Sequence, residues 1–371
     1  MRWRHEERSQ DSILRHPADS DAWKSFDILH PGFSREPRNV RLGLASDGIN
    51  PFGNMSVSYS TWPVIVNELQ ELWHYGVETF DASKKENFCM HAALLWTIND
   101  FPAYSNLSGW STKGAMACPS CIEETPSTRL KYGRKFSYMG AHRFLPMNHK
   151  WRENKSSFDG KLEKRFAPKK MSGDDVFNQL QMLQHVIFDI EGKTKDNLNA
   201  CRDLKEMGIR KDLHPTQKDG KWFYLAACYT LSSEEKTKIC KFLKSVKVPV
   251  GYSSNISRCV SVKECKINGL RSHDSHILLE KILPMAIRGV VPNNVYDAIT
   301  ELSIFRELCS KVLKKEALER LESQIVITLC KLERIFPLAF FDVMVHLIVH
   351  LATEAKIAGL VQYRWMYPIE R

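Results

Sequence analysis

The stretch Val40–Gly53, VRLGLASDGINPFG, most constrains what this chain can fold into. Val40, Leu42 and Leu44 alternate with small or polar residues, and this period of two predicts a half-buried β-strand. The alternation stops at Asp47, after which Gly, Asn-Pro and Gly force the chain to turn. A carboxylate at the end of a core strand is firmly held and open to solvent, which suits a divalent-cation ligand. The alternative interpretation is that Asp47 only makes the turn.

Length and charge limit the class of protein. A chain of 371 residues can form about two or three domains. The 43% hydrophobic content fits a globular protein, and the sequence has neither an apolar run of about eighteen residues nor a signal-peptide core, so we expect an intracellular protein. Lys and Arg outnumber Asp and Glu by 53 to 43, giving a net charge of +10. This excess favours a polyanionic partner such as DNA, although ordinary basicity is the alternative.

Ten cysteines in an intracellular chain indicate reduced thiols or metal ligands rather than a disulfide framework. Cys118 and Cys121 form a CxxC turn, which presents two thiolates to one tetrahedral metal ion and predicts a structural zinc site. This pair supplies only half of such a site. Seven further cysteines are scattered along the chain, and we interpret them as core or surface thiols: Cys201, Cys228, Cys240, Cys259, Cys265, Cys309 and Cys330.

Two pairs of histidines are candidates for the other half. His142 and His149 are close to the CxxC turn in sequence. His346 and His350 are distant, but they stand four apart on an apolar helical stretch, so their rings share one face. The alternative for the distant pair is that both are hydrogen-bonded core residues.

Residues 129–170 are the most basic part of the chain, with thirteen Lys or Arg against three acids. Aromatic residues, including Tyr138, Phe158 and Phe166, are interleaved with these cations. The combination suits a phosphate-binding track with base stacking, and a solvated linker is the alternative. No helix-turn-helix or zinc-finger motif is evident, so base specificity is not predicted. The candidate DNA-binding residues are Arg134, Lys135, Arg143, Lys150, Arg152, Lys164 and Arg165.

The remaining pattern is mostly helical. Residues 1–39 are polar and predict an irregular lead-in to the first strand. Val64–Trp73 has helical spacing, and 91–101 is a compact apolar run that fits a helix or a buried strand. Ser232 begins an N-cap signature. Residues 295–352 carry apolar residues in steps of three or four, which predicts a helical bundle.

Several long strings resemble the plant CACTA (En/Spm-type) transposases of the Tnp2 family. They include HPADSDAWKSFDILHPGFSREPRNVRLGLASDGINPFGNMSVSYSTWPV, LLWTINDFPAY, GWSTKG and ACPSC, and the likeness covers nearly the whole chain. It implies an RNase H-like fold in which Asp47 is the first acid of a DDE catalytic triad and Glu370 matches the third. A CxxC followed by a late histidine pair also resembles the zinc site of the V(D)J recombinase, which favours His346 and His350 as the other ligands.

The chain departs from this family in ways that affect catalysis. The family carries a long segment, holding the second catalytic Asp and at least one core strand, where this chain passes from Ile65 to Asn67. A second family segment is missing near Gln184–Phe188, and the family continues beyond the C-terminus. The resemblance therefore implies internal deletions and a truncated C-terminus.

The expected fold is α/β plus α, with an incomplete RNase H-like core and a large helical insertion. We expect a partial core over 1–110, a CxxC and basic segment over 111–170, and a helical insertion over 171–371 that ends at the final catalytic-acid motif.

An intact family member would bind two Mg²⁺ between three carboxylates for DNA strand transfer. Nearby acids, Asp100 among them, do not obviously replace the missing one. The sequence thus predicts a nuclear, transposase-derived DNA-binding protein with impaired catalysis, which binds DNA and which self-associates or joins an intact transposase. The alternatives are a working DDE recombinase with an unrecognised second acid, and a zinc-stabilised helical scaffold or non-functional fragment without a nucleic-acid role.

Overall fold

The computed structural model describes residues 11–46, 66–99, 114–175, 198–218, 221–223, 226–247, 256–270 and 272–364, with Phe101, Tyr104 and Thr112 as isolated positions. Asp47, Asp100 and Glu370 lie outside the described residues. So do Ile65 and Gln184–Phe188, where the sequence predicts missing segments.

The described part is a mixed α/β structure whose elements are numbered in chain order. The helices are α1 (Asp21–Leu29), α2 (Pro31–Ser34), α3 (Val66–His74), α4 (Leu198–Glu206), α5 (Ser233–Ser245), α6 (Ile256–Cys259), α7 (Ser272–Ile277), α8 (Leu283–Ile287), α9 (Asn293–Glu301), α10 (Phe305–Leu308), α11 (Lys315–Ile335), α12 (Val343–Leu347) and α13 (Leu351–Ala358). The strands are β1 (Ile13–Leu14), β2 (Val40–Ser46), β3 (Val77–Asp81), β4 (Glu86–Met90), β5 (Ala92–Asn99), β6 (Thr128–Arg129), β7 (Phe136–Ser137), β8 (Thr216–Lys218), β9 (Lys221–Phe223), β10 (Val260–Ser261), β11 (Lys266–Ile267) and β12 (Leu313–Lys314).

Strands β2 and β5 form a parallel pair, which confirms the strand predicted from the alternation after Val40. Their register runs to Ser46 opposite Asn99, with an irregularity after Leu42. A Cβ on Gly43 would lie 2.5 Å from the indole nitrogen of Trp96, so only glycine fits there. Parallel strands need a crossover connection, and α3 with the β3–β4 hairpin lies between β2 and β5 in sequence. The RNase H-like core itself stays a prediction.

The described part of the segment before β2 is more regular than the sequence predicted. Ser20 caps α1 by accepting a hydrogen bond from the Trp23 amide over 3.3 Å, and Trp23 is buried. Arg41 on β2 pairs with Asp27 on α1. The expectation of an irregular lead-in is therefore wrong for these residues, because a short cap and one buried indole suffice for a helix that packs on a neighbour.

The main core forms around α11, as the stepping of apolar residues predicted. Five residues of α11 are buried in one cluster with residues of α9, of α13 and of the chain on either side of α12: Leu318, Leu321, Ile325, Leu329 and Leu332.

The predicted N-cap also occurs, since Ser232, the residue before α5, makes a capping box with the third residue of that helix. None of the described helices is both long and apolar enough to cross a membrane.

Residues 129–170, called the basic arm below, are mostly irregular but are packed against the core rather than solvated as a linker. Phe158 is fully buried and stacks on His142 with ring centroids 4.4 Å apart. Tyr138 is buried as well, whereas Phe166 is 75% exposed. Tyr138 and Phe158 thus anchor the basic arm, which corrects the expectation of base stacking for these two residues.

Candidate metal centre and nucleic-acid surface

The CxxC turn is closed by local hydrogen bonds. The Ile122 amide donates to the Cys118 carbonyl over 2.9 Å, and the Cys121 amide donates to the Cys118 sulfur over 3.4 Å. Ile122 has a φ of 50°, a left-handed conformation that a β-branched residue rarely adopts. Because the Ile122 side chain is buried, packing holds the turn in this shape.

The two distant histidines come from consecutive short helices. The carboxylate of Asp342 caps α12 by accepting a hydrogen bond from the Val345 amide over 3.2 Å. His346 lies in α12, and His350 ends the 3₁₀-helix Ile348–His350. Their ring centroids are 5.3 Å apart in an edge-to-face arrangement, so the predicted spacing does place both rings on one face.

These four side chains converge on one point. One ligand atom from each of Cys118, Cys121, His346 and His350 lies within 4.8 Å of all the others. The Cys118 sulfur is 3.4 Å from Nε2 of His350, and the Cys121 sulfur is 3.4 Å and 3.2 Å from Nε2 of His346 and His350. A tetrahedral zinc ion, with bonds of about 2.3 Å to sulfur and about 2.0 Å to nitrogen, places sulfur and nitrogen about 3.5 Å apart. The cluster could therefore bind a metal ion, and its donors and spacing are consistent with zinc.

The surroundings favour a thiolate at Cys118. The hydrogen bond from the Cys121 thiol lowers the pKa of the Cys118 thiol well below its usual value; burial opposes this shift, and the imidazoles of His346 and His350 add to it. A metal ion needs deprotonated thiols as ligands, so this arrangement prepares the first of them.

The basic arm is attached beside the cluster. The Tyr138 amide donates to the Phe341 carbonyl over 2.8 Å, and the Ser137 hydroxyl donates to the Leu338 carbonyl over 2.8 Å. The Tyr138 hydroxyl donates to the Gly114 carbonyl over 2.5 Å, and burial raises its pKa to about 12, so it stays protonated. These contacts join the chain before the CxxC turn to the chain before the histidines.

Glu333 is a buried structural residue that the sequence analysis missed. Its carboxylate accepts hydrogen bonds from the amides of Gly140 and Ala141 over 2.6 Å and 2.8 Å. The same carboxylate lies 3.7 Å from Nδ1 of His142. The sequence signal that could have identified Glu333 is an acid placed among the apolar residues of α11, close to Leu329 and Leu332 in the helical repeat.

The local histidine pair does not join the cysteines. His142 is buried beside Phe158, and neither of its ring nitrogens has a hydrogen-bond partner among the described residues. Nδ1 of His149 accepts a hydrogen bond from the Trp151 amide over 3.2 Å. The distant pair, which the sequence analysis favoured, is the one brought to the CxxC turn.

Two of the predicted DNA-binding arginines are internal. Arg152 is 3% exposed, and its guanidinium donates to the carbonyls of Leu145 and Arg143 over 2.6 to 2.9 Å. Arg143 is buried too and donates to the carboxylate of Glu124 over 2.5 Å and to the Phe166 carbonyl over 2.7 Å. The prediction that Arg143 and Arg152 contact phosphates is therefore corrected, because their guanidinium N–H groups bind protein oxygens and hold the basic arm together.

The other candidates in the basic arm are at or near the surface. Lys135 is half-buried and donates to the Ala339 carbonyl over 2.7 Å, and Arg165 pairs with Glu163 over 2.6 Å while its side chain stays 59% exposed. The exposed candidates are Arg134, Lys150, Lys164 and Arg165. The candidate catalytic residues Asp47 and Glu370 lie outside the described residues.

The chain matches the family model described as transposase family tnp2 over residues 11–67 and 64–183. This match supports a transposase-family protein. A second model, a domain of unknown function named DUF4218, matches residues 308–371. No curated protein and no solved structure matches the chain. The cysteines of the metal cluster lie in the transposase match and the histidines in the second match, so the cluster connects the two regions.

Proposed function

We propose that this chain is a transposase-derived DNA-binding protein of the CACTA (En/Spm) type, in which the basic arm contacts DNA phosphates. The observation that carries the proposal is the match of residues 11–183 to the tnp2 transposase family. The proposal implies a nuclear protein whose main partner is DNA, with self-association or an intact transposase as a further partner.

The surface of the basic arm supports this function. Exposed Lys155 and Lys161 add to the exposed candidates already described. Lys and Arg that neutralise phosphates release condensed counterions, which drives DNA binding without sequence preference. Because the buried Arg143 and Arg152 fix the arm, its exposed cations lie on an ordered surface and lose little freedom on binding.

The test compares two triple substitutions that remove the same charge. The arm variant is K150Q/K161Q/K164Q, and the control variant is K236Q/K238Q/K241Q on the exposed face of α5. We expect the arm variant alone to bind labelled duplex DNA more weakly in fluorescence anisotropy, with a salt slope smaller by about 2 to 3. An equal loss in both variants would mean that only net charge matters, which contradicts the proposed surface.

The strand register supports a second function, metal-dependent DNA strand transfer. Ser46 is paired with Asn99 at the ends of the parallel strands β2 and β5. The next residue in each case is an acid, Asp47 or Asp100, and consecutive Cα atoms are only about 3.8 Å apart. Ligands of open α/β sheets bind at the carboxyl ends of parallel strands. We therefore propose Asp100 as the second acid, which the sequence analysis had set aside.

Under this proposal the missing segment need not carry a catalytic residue. The two stretches of the tnp2 match meet at residues 64–67, which supports a missing segment at the expected junction. Bound Mg²⁺ would supply activation of a nucleophile and stabilisation of the leaving oxygen. Asp47, Asp100 and Glu370 are the residues proposed to hold it.

Nicking of supercoiled DNA tests this second function. With Mg²⁺ or Mn²⁺, we expect nicking by the full chain that disappears in Asp47→Asn and in Asp100→Asn. Glu71→Gln, an exposed acid on α3, is the matched control and should keep activity. If the unaltered chain nicks DNA with neither Mg²⁺ nor Mn²⁺, the result would favour impaired catalysis instead.

A further inference from the structure

A cleft of about 610 Å³ opens between the basic arm, the turn after α4, and helices α9 and α11. Its walls include Trp151, Arg210, Asp297 and Arg334. The volume falls within the range of about 300–1,000 Å³ that is typical of small-ligand sites. None of the residues that line it belongs to the metal cluster.

Arg210 is the unusual residue in this cleft. Its backbone adopts φ 48° and ψ 58°, a left-handed conformation that residues other than Gly, Asn and Asp rarely adopt. Its side chain is 10% exposed, and within the described part of the chain its one ion pair is a 3.5 Å contact between Nε and Asp212. Nη1 is buried without a hydrogen-bond partner among the described residues. A buried charged donor without an acceptor is costly. Because Arg210 lines the cleft, a ligand oxygen that enters the cleft can offset this cost once the side chain turns towards it.

The other groups in the cleft favour an anion with an aromatic part. The Arg334 guanidinium lies over the Trp151 ring, 5.2 Å from its centroid, so it covers one face of the indole, and Arg334 is itself exposed. Lys211 is exposed at the edge of the cleft, while Lys331 is already paired with Glu301. The carboxylates that line the cleft, Asp212 and Asp297, are both exposed, where water screens their repulsion of an anion.

We propose that this cleft binds one unpaired nucleotide of a DNA strand. The edges of the Arg210 and Arg334 guanidinium groups donate to its phosphate oxygens. Its base stacks on the Arg334 guanidinium opposite Trp151, since bases stack on guanidinium planes as well as on aromatic rings. The phosphates of a duplex lie on the outside of a stiff rod and do not reach a guanidinium that is nine-tenths buried. The inference rests on the proposed DNA-binding function and names a single-stranded segment as an additional ligand.

Calorimetry on the full, zinc-loaded chain tests this site. The ligands are a short single-stranded oligothymidylate, thymidine monophosphate, inorganic phosphate and a duplex of equal charge. We expect Arg210→Asn and Arg334→Gln each to weaken oligothymidylate and thymidine monophosphate binding by about tenfold or more, because each removes a charge-assisted hydrogen bond. Lys238→Gln on α5 is the control and should leave binding unchanged.

Duplex affinity separates this inference from the proposed function. Arg210→Asn should keep duplex binding, which the arm variant should lose. Single-stranded binding that neither arginine substitution weakens would overturn the inference, as would equal binding of inorganic phosphate and thymidine monophosphate.

The Arg210→Asn variant is chosen because Asn tolerates the left-handed conformation, and zinc content with a thermal melt verifies folding. If Arg210→Asn does not fold, Arg334→Gln gives the result.

Discussion

Glu322 on α11 joins three parts of the molecule through one carboxylate. It accepts hydrogen bonds from Lys170 at the end of the basic arm and from Thr353 and Lys356 on α13, over 2.6 to 2.7 Å. Burial alone would raise the pKa of Glu322, but these hydrogen bonds lower it from 4.5 to about 2. The folded pKa lies below the unfolded value, so the stabilisation is complete above about pH 4.5 and is lost as the pH falls towards 2.

Glu322→Gln should therefore flatten the pH dependence of the unfolding free energy in acid. At neutral pH we expect a loss of about 1–2 kcal/mol, less than the pKa shift alone would give because the site is partly exposed. Chemical denaturation at a series of pH values measures both effects. Glu319→Gln, an exposed acid on the same helix, is the control, and an identical acid profile in the two variants would contradict this role.

At the scale of elements, the sequence predicted what depends on local pattern. The alternation after Val40 gave β2, the N-cap at Ser232 gave the start of α5, and the stepping of Leu318 and its neighbours gave α11. Residues 91–101 stayed ambiguous because a short apolar run fits a helix or a strand, and only pairing with β2 decides for the strand. Two-residue strands such as β1 carry no pattern of their own and exist through tertiary pairing.

The metal cluster should hold two elements together, the CxxC turn and α12. We expect chelation or Cys118→Ser to abolish zinc binding and to lower hydrogen-exchange protection around Ile122 and His346 first. The contact between Tyr138 and Phe341 remains, so the rest of the core should stay protected. Zinc content and hydrogen exchange by mass spectrometry measure these effects.

Cys89→Ser is the control for this experiment, because Cys89 is an exposed thiol on β4. We expect it to bind one equivalent of zinc, the same amount that we expect for the unaltered chain. A full equivalent of tightly bound zinc in Cys118→Ser would show that the four-ligand cluster is not the metal site.

At the scale of the whole molecule, the candidate site depends on contacts that local pattern does not contain. Cys121 and His346 are 225 residues apart, and only the family resemblance favoured their pairing over the local histidines. Charge counting could not separate buried Arg143 and Arg152 from exposed lysines, because both occur in the same basic run. The register of β2 and β5, which places Ser46 opposite Asn99, likewise comes from the fold alone.

The salt dependence of duplex binding tests most directly whether this chain binds DNA through phosphate contacts. The dissociation constant of the zinc-loaded full chain for a labelled duplex is measured across a salt series. With about four to five exposed arm cations at phosphates, log K should fall linearly with log salt concentration with a slope of about −4. No binding at low salt by a folded, zinc-loaded chain would contradict DNA binding and favour a zinc-stabilised helical scaffold. An affinity independent of salt would contradict binding through phosphate contacts.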